Sequence, residues 1–169
     1  HQMGSPMWGA GNLTKPCREN VFQICPSLAE SWQSNADFTQ WTFKIRDGVL
    51  WHDGTRFSAE DVKFWLELAQ FGVKVGDKTR RPAWFLGDLG NPTKVEVLPG
   101  NQIRITLSSP QSLLPDIIGR THLHLAHPKH IMQPRIDKGE VDVSPEDIDI
   151  VGTGPFKLLE QQKGSKALV

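Results

Sequence analysis

The sequence predicts a mixed α/β fold, a small and largely antiparallel sheet packed against helices, and three stretches carry that prediction. Trp41, Phe43 and Ile45 alternate with Thr42, Lys44 and Arg46, and a period of two puts the apolar side chains on one face of a strand. Val95 and Val97, then Ile103, Ile105 and Leu107, repeat the alternation on either side of Leu98-Pro99-Gly100-Asn101, the clearest hairpin in the chain. Between them, Val62, Trp65, Leu66 and Ala69 form one helical stripe and Phe64, Leu68 and Phe71 a second. A helix apolar around most of its circumference belongs in a core, and strands with one apolar face need cover.

Taken in order, residues 1–20 carry Gly4, Gly9, Gly11, Pro6 and Pro16 with little periodicity and read as loop, with Met7 and Trp8 as their large apolar pair. Cys17 and Cys25 are the only cysteines; their spacing leaves open a disulfide or two inert thiols, depending on the compartment. Leu28, Ala29 and Trp32 mark a short apolar segment, with Trp32 read as core. Residues 33–40 form a polar turn into the Trp41 strand. Asp47-Gly48 and Asp53-Gly54 are tight-turn dipeptides, so the chain reverses twice before Ser58, an N-cap followed by Glu60 and Asp61 at the positive end of the helix dipole. Gly72 closes the helix.

Residues 73–93 read as a loop rich in glycine, proline and basic residues around Ala83 to Leu86. Trp84 and Phe85 stand there either as recognition aromatics or as anchors of the loop. After the hairpin, Ser112 to Ile118 fits a short helix with Pro110 near its start and Gly119 ending it. His122, His124, His127 and His130 put four imidazoles in nine residues; on a strand His122 and His124 would share a face, as transition-metal ligands do. Against that reading, Pro128 makes His127 extended and no carboxylate or cysteine is adjacent in sequence. Residues 133–150 are polar, with Pro134 and Pro145 as breakers and a capped turn at Ser144-Pro145-Glu146-Asp147. Gly152-Thr153-Gly154-Pro155 is a glycine turn into a strand, Phe156 to Leu159, and lacks the Lys-Ser/Thr of a phosphate loop.

Composition narrows the function. The chain has 169 residues, enough for one cored domain, and 19 basic residues balance 19 acidic ones, so the electrostatic drive for nucleic-acid binding is missing. No apolar run approaches the roughly 20 residues that span a bilayer, and the N-terminus has no signal-peptide pattern. An enzyme is the poorer reading: His52 and Asp53 are the only acid–base neighbours, and no recognisable nucleophile or metal motif is present. No cofactor is expected.

The order of residues in RDGVLWHDGTRFSAEDVKFWLE, with PSLAESWQSNADFTQWTFKIR before it and VEVLPGNQIRITLSSP and VGTGPFKLLE after it, resembles the bacterial family 5 extracellular solute-binding proteins. These are the oligopeptide, dipeptide and nickel-type receptors of ABC importers. The resemblance covers residues 21–169 and implies a fragment of the first lobe of a two-lobed receptor. Residues 1–20 would then be an N-terminal segment, 21–150 the peripheral subdomain of that lobe, and 151–169 the start of a return strand. It implies capture of a peptide or similar small solute outside the inner membrane, in the periplasm or extracellular space. The partner would be a membrane permease, with attachment through that transporter or a lipid anchor of the parent protein. Trp8, Trp84 and Phe85 are the ligand-contact candidates it leaves. A metal-binding module built on the four histidines, and a non-catalytic structural piece without its own ligand, are the alternatives. A homodimer through the tail or the N-terminal loop is a further expectation, because an unpaired apolar strand recruits another chain.

Overall fold

A computed structural model describes residues 11–71, 73–75, 78–80, 89–120, 128–139, 151–154, 160–162 and 166–168. In chain order its elements are β1 (Thr14–Pro16), β2 (Ile24–Pro26), β3 (Ala29–Ser34), β4 (Gln40–Ile45), α1 (Ala59–Phe71), β5 (Val73–Val75), β6 (Lys78–Arg80), β7 (Pro92–Leu98), β8 (Gln102–Leu107), α2 (Leu114–Arg120), α3 (Lys129–Asp137), β9 (Glu160–Gln162) and β10 (Lys166–Leu168). The principal sheet has four antiparallel strands in the order β3-β4-β8-β7. Its register sets Trp41 opposite Ile105 and Ile105 opposite Val95, and Phe43 opposite Ile103. These partners share one face, and Phe43, Ile45 and Ile103 are wholly buried there. The alternate row, Thr42, Arg104 and Glu96, lies on the other face.

Helix α1 covers the apolar face. Val62 and Leu66 are buried in the main core with Trp51 and Phe57, which meet edge to face at 5.6 Å. Phe64 turns instead toward Met132 of α3, forming a small satellite core with Trp65 and Leu68 packed on it. Among the described side chains, Val62 and Leu66 of one stripe therefore join the main core, and Phe64 and Leu68 of the other the satellite core on α3.

The start of α1 is closed by more than its N-cap. Ser58 Oγ accepts from Glu60 N–H at 3.3 Å, and Ser58 N–H donates to Asp61 Oδ2 at 3.0 Å, a reciprocal box with Asp at the third helical position. The remaining first-turn amide, Ala59 N–H, donates to Asn101 Oδ1 at 2.9 Å. Asn101 sits at φ 56° in the β7–β8 turn beside Gly100 at φ 77°. A side chain in that hairpin turn therefore caps a helix 42 residues earlier.

Several local expectations are corrected. Thr14–Pro16, expected as loop, is a strand: β1 pairs with β2, and a Cys17–Cys25 disulfide clips the pair together. Gly119 does not end α2 but lies inside it. A Cβ there would stand 3.0 Å from Thr14 Oγ1 and 3.2 Å from the Lys15 amide nitrogen, so the glycine lets the helix lie against β1. Thr14 is wholly buried and donates its hydroxyl to Pro115 O at 2.7 Å in the same contact. Pro134, expected to break structure, lies within α3. β5 and β6 make a hairpin where a loop was expected. Phe156 to Leu159 lie outside the described residues; beyond them β9 and β10 pair with each other, so the tail is not without partners as expected.

Candidate functional site

Two polar clusters join parts of the chain far apart in sequence. The first centres on Asp61, only 5% exposed. Its Oδ1 accepts from Lys129 N–H at 3.1 Å, the opening amide of α3, while Oδ2 serves the Ser58 amide. Burial raises its pKa above the ordinary 3.8, opposed by the Ser58 and Lys129 amides and then by the Trp51 indole. The Trp51 N–H faces this carboxylate without reaching good hydrogen-bond geometry to any described group.

Around Asp61 the α1–α3 seam is lined by paired polar side chains. Lys129 Nζ stands 3.3 Å from Glu60 Oε2, and His130 Nε2 stands 2.6 Å from Asp53 Oδ2, with the His130 ring 6.3 Å from that of Trp51. Burial works against the Asp53 charge, yet the His130 imidazole and the Thr55 amide and hydroxyl outweigh it, and its pKa lies below the ordinary value. An open groove of about 390 Å³ runs along the seam, lined by Arg56, Ser58, Glu60, Asp61, Lys129 and His130 among others. Most of those charges already face an internal partner, which suits a joint between elements better than a ligand pocket.

The second cluster is built on His52. Its backbone N–H donates to Gly152 O at 2.9 Å, its Nδ1 accepts from Gly152 N–H at 3.1 Å, and its Nε2 lies 2.8 Å from Gly154 O. Gly11 N–H donates to Thr153 Oγ1 at 3.1 Å, which brings Gly11 to the same place.

Of the residues singled out from sequence, Trp8, Trp84, Phe85, His122, His124 and His127 lie outside the described residues. His130 is described, and its partner is a carboxylate that sequence proximity did not reveal, 77 positions away. His52 and Asp53, adjacent in sequence, serve different joints: one holds Gly152 and Gly154, the other His130 and Thr55. Among the described residues no group of three or more His, Cys, Asp or Glu side chains is arranged to hold a metal. Among them, too, no helix is long and apolar enough to cross a membrane. Trp32 is half-buried against the core and 6.4 Å from Phe43 ring to ring, consistent with its reading as a packing residue. Asp61 and Asn101 were missed as joints; Ser58 as N-cap, with Glu60 and Asp61 after it, signalled the helix start but not its link to α3.

Comparison with known proteins places this arrangement. The profile of the bacterial extracellular solute-binding proteins, family 5 Middle, matches residues 23–169. The dipeptide-binding protein of Escherichia coli K12 is 27% identical over 157 residues, covering 85% of this chain and 28% of that protein. Among solved structures, the solute-binding protein MoaA of A. tumefaciens R10 in complex with mannopinic acid superposes with a TM-score of 0.73 at 30% identity, covering 95% of this chain and 30% of that one. The ABC transporter-associated periplasmic binding protein DppA of Helicobacter pylori, in complex with the peptide STSA, gives a TM-score of 0.73 at 25% identity, covering 95% and 32%. The chain thus spans less than a third of the length of these relatives. With a profile match across most of its length and a shared fold, the chain belongs to the bacterial extracellular solute-binding proteins of family 5.

Proposed function

We propose that this chain contributes to the substrate-binding component of an ABC importer, which captures a peptide or similar small solute outside the inner membrane and delivers it to a permease. The observation that carries the proposal is the family match over residues 23–169. The Cys17–Cys25 disulfide supports the location, because such bonds persist in oxidising compartments such as the periplasm. The role is binding and positioning rather than catalysis: the imidazole–carboxylate pair His130–Asp53 ties α3 to the Asp53-Gly54 turn, and both nitrogens of His52 face backbone groups. Attachment through a lipid anchor, and dimerisation through the tail or the N-terminal loop, belong to the same proposal.

A site that encloses its ligand buries roughly 70–90% of the ligand's surface. The described residues offer a sheet, its covering helix and a charge-paired seam, which together make one structural wall. Calorimetry of the 169-residue chain with a library of di- to pentapeptides should therefore give no saturable heat. A chimaera in which this chain replaces the matching part of the E. coli dipeptide-binding protein should retain peptide binding. A folded chimaera that binds no peptide would count against the proposed role, and saturable binding by the chain alone would show that it carries a complete site.

A further inference from the structure

The contacts of the His52 ring fix its tautomer. A carbonyl oxygen only accepts hydrogen bonds, so the contact between Nε2 and Gly154 O at 2.8 Å requires a proton on Nε2. An amide N–H only donates, so the 3.1 Å contact from Gly152 N–H to Nδ1 requires that nitrogen to be bare. The two contacts together specify the neutral ring in its Nε2–H tautomer. Gly152 is buried, and its amide has this nitrogen as its partner. A buried amide that loses its acceptor is costly, because neither protein nor water replaces the bond.

We propose that the neutral His52 ring clasps the Gly152–Gly154 segment to the Asp53-Gly54 turn, and that a second proton on Nδ1 releases the Gly152 amide. Protonation sets one N–H against another at Nδ1 while leaving the Nε2–H bond to Gly154 O and the backbone bond from His52 N–H to Gly152 O intact. The release is therefore selective. It affects a crossing point of the chain: Gly11 is bonded to Thr153, and a Cβ on Gly11 would stand 3.1 Å from both Thr153 Oγ1 and Leu28 Cδ1. Protonation at Nδ1 thus removes one of the bonds that hold this crossing point and leaves the Gly11–Thr153 bond in place. The groups bonded to the His52 ring are backbone groups of Gly152 and Gly154, and neither these residues nor Gly11 and Thr153 carry an ionisable side chain. On the turn itself the neighbouring ionisable group is Asp53, whose carboxylate is engaged by His130 and the Thr55 amide. The clasp does not depend on which solute the receptor takes.

The test needs no substitution. In the 169-residue chain, long-range nitrogen–proton correlation spectra of the imidazoles near about pH 8 should show His52 as the Nε2–H tautomer with a hydrogen-bonded, bare Nδ1. Acidifying the sample until the same spectra show a proton on both ring nitrogens of His52 should reduce the hydrogen-exchange protection factor of the Gly152 amide about tenfold or more. The Leu107 amide, bonded to Thr39 O at 2.8 Å, should keep its protection. An Nδ1–H tautomer overturns the proposal. So does Gly152 protection that is unchanged once the ring carries both protons, or equal loss at Gly152 and Leu107.

Discussion

The sheet–α1 core and the α1–α3 seam meet on the same helix, yet different forces hold them. In the core, Phe43, Ile45, Val62, Leu66, Ile103 and Ile105 are 2% exposed or less and bury apolar surface with no polar partner in their side chains. In the seam, a small apolar cluster of Phe64 and Met132, with Trp65, Leu68, Ile131 and Ile136 packed on it, is accompanied by the Asp61 carboxylate, the Lys129–Glu60 pair and the His130–Asp53 pair. Burial is non-directional and tolerant of small shifts, whereas a buried carboxylate serving two amides works only with both donors in place. The core should thus set global stability and the seam should set where α3 sits.

Substitutions on each side break the comparison at different depths. The largest expected effect is Phe43→Ala, which removes a wholly buried ring between Trp41 and Trp32 and should lower unfolding free energy by about 3–5 kcal/mol in urea titrations. A loss under about 1 kcal/mol would mean that the sheet face is not the core. Asp61→Ala removes the reciprocal helix box and the acceptor for α3, and should cost about 1–3 kcal/mol. Hydrogen exchange should show the loss of protection concentrated at Ser58 and Lys129, and a uniform loss across the sheet would merge the two regions into one.

The pH response sharpens the same contrast, since the two seam aspartates carry opposite signs. The Asp61 pKa is raised by burial, so the folded state holds its proton more tightly than the unfolded chain. Its contribution to stability is fully present below the ordinary 3.8 and is lost as pH rises from there through the raised folded value. Asp53 is lowered despite the burial that opposes its charge, so its contribution is present above the ordinary 3.8 and is lost as pH falls through the folded value. Asp61→Asn should flatten the decline above about pH 4, and a wild-type slope that survives that change would assign it elsewhere. The smallest expected effect is Lys63→Ala on the solvent side of α1. Its pair with Glu67, 3.8 Å apart and partly exposed, should change stability by under about 0.5 kcal/mol in the same urea titrations.

How legible each region was follows from the range of its interactions. The Trp41 strand, the Val95–Leu107 hairpin and the Ser58 helix were readable because periodicity and turn chemistry repeat over a few residues, and the observed sheet joins those segments. Short elements escaped. β1 has three residues and no alternation of its own, and becomes a strand because the disulfide and α2 hold it against β2. Gly119 and Pro134 were read by their usual local habits, as helix end and breaker. Packing reversed both: β1 comes too close for a side chain at 119, and α3 continues through Pro134 with its opening amide held by Asp61.

The sequence by itself determined the fold class, the one-sided strands, the apolar helix and the family, since each is written in spacing or residue order along the chain. Only the tertiary structure decided which polar groups meet. Asp53 finds His130 across 77 positions, Asp61 finds the Lys129 amide across 68, and His52 finds Gly154 across 102. No periodicity encodes these pairs, because a hydrogen bond depends on the positions of two atoms in space, which the apolar core sets by bringing distant segments side by side.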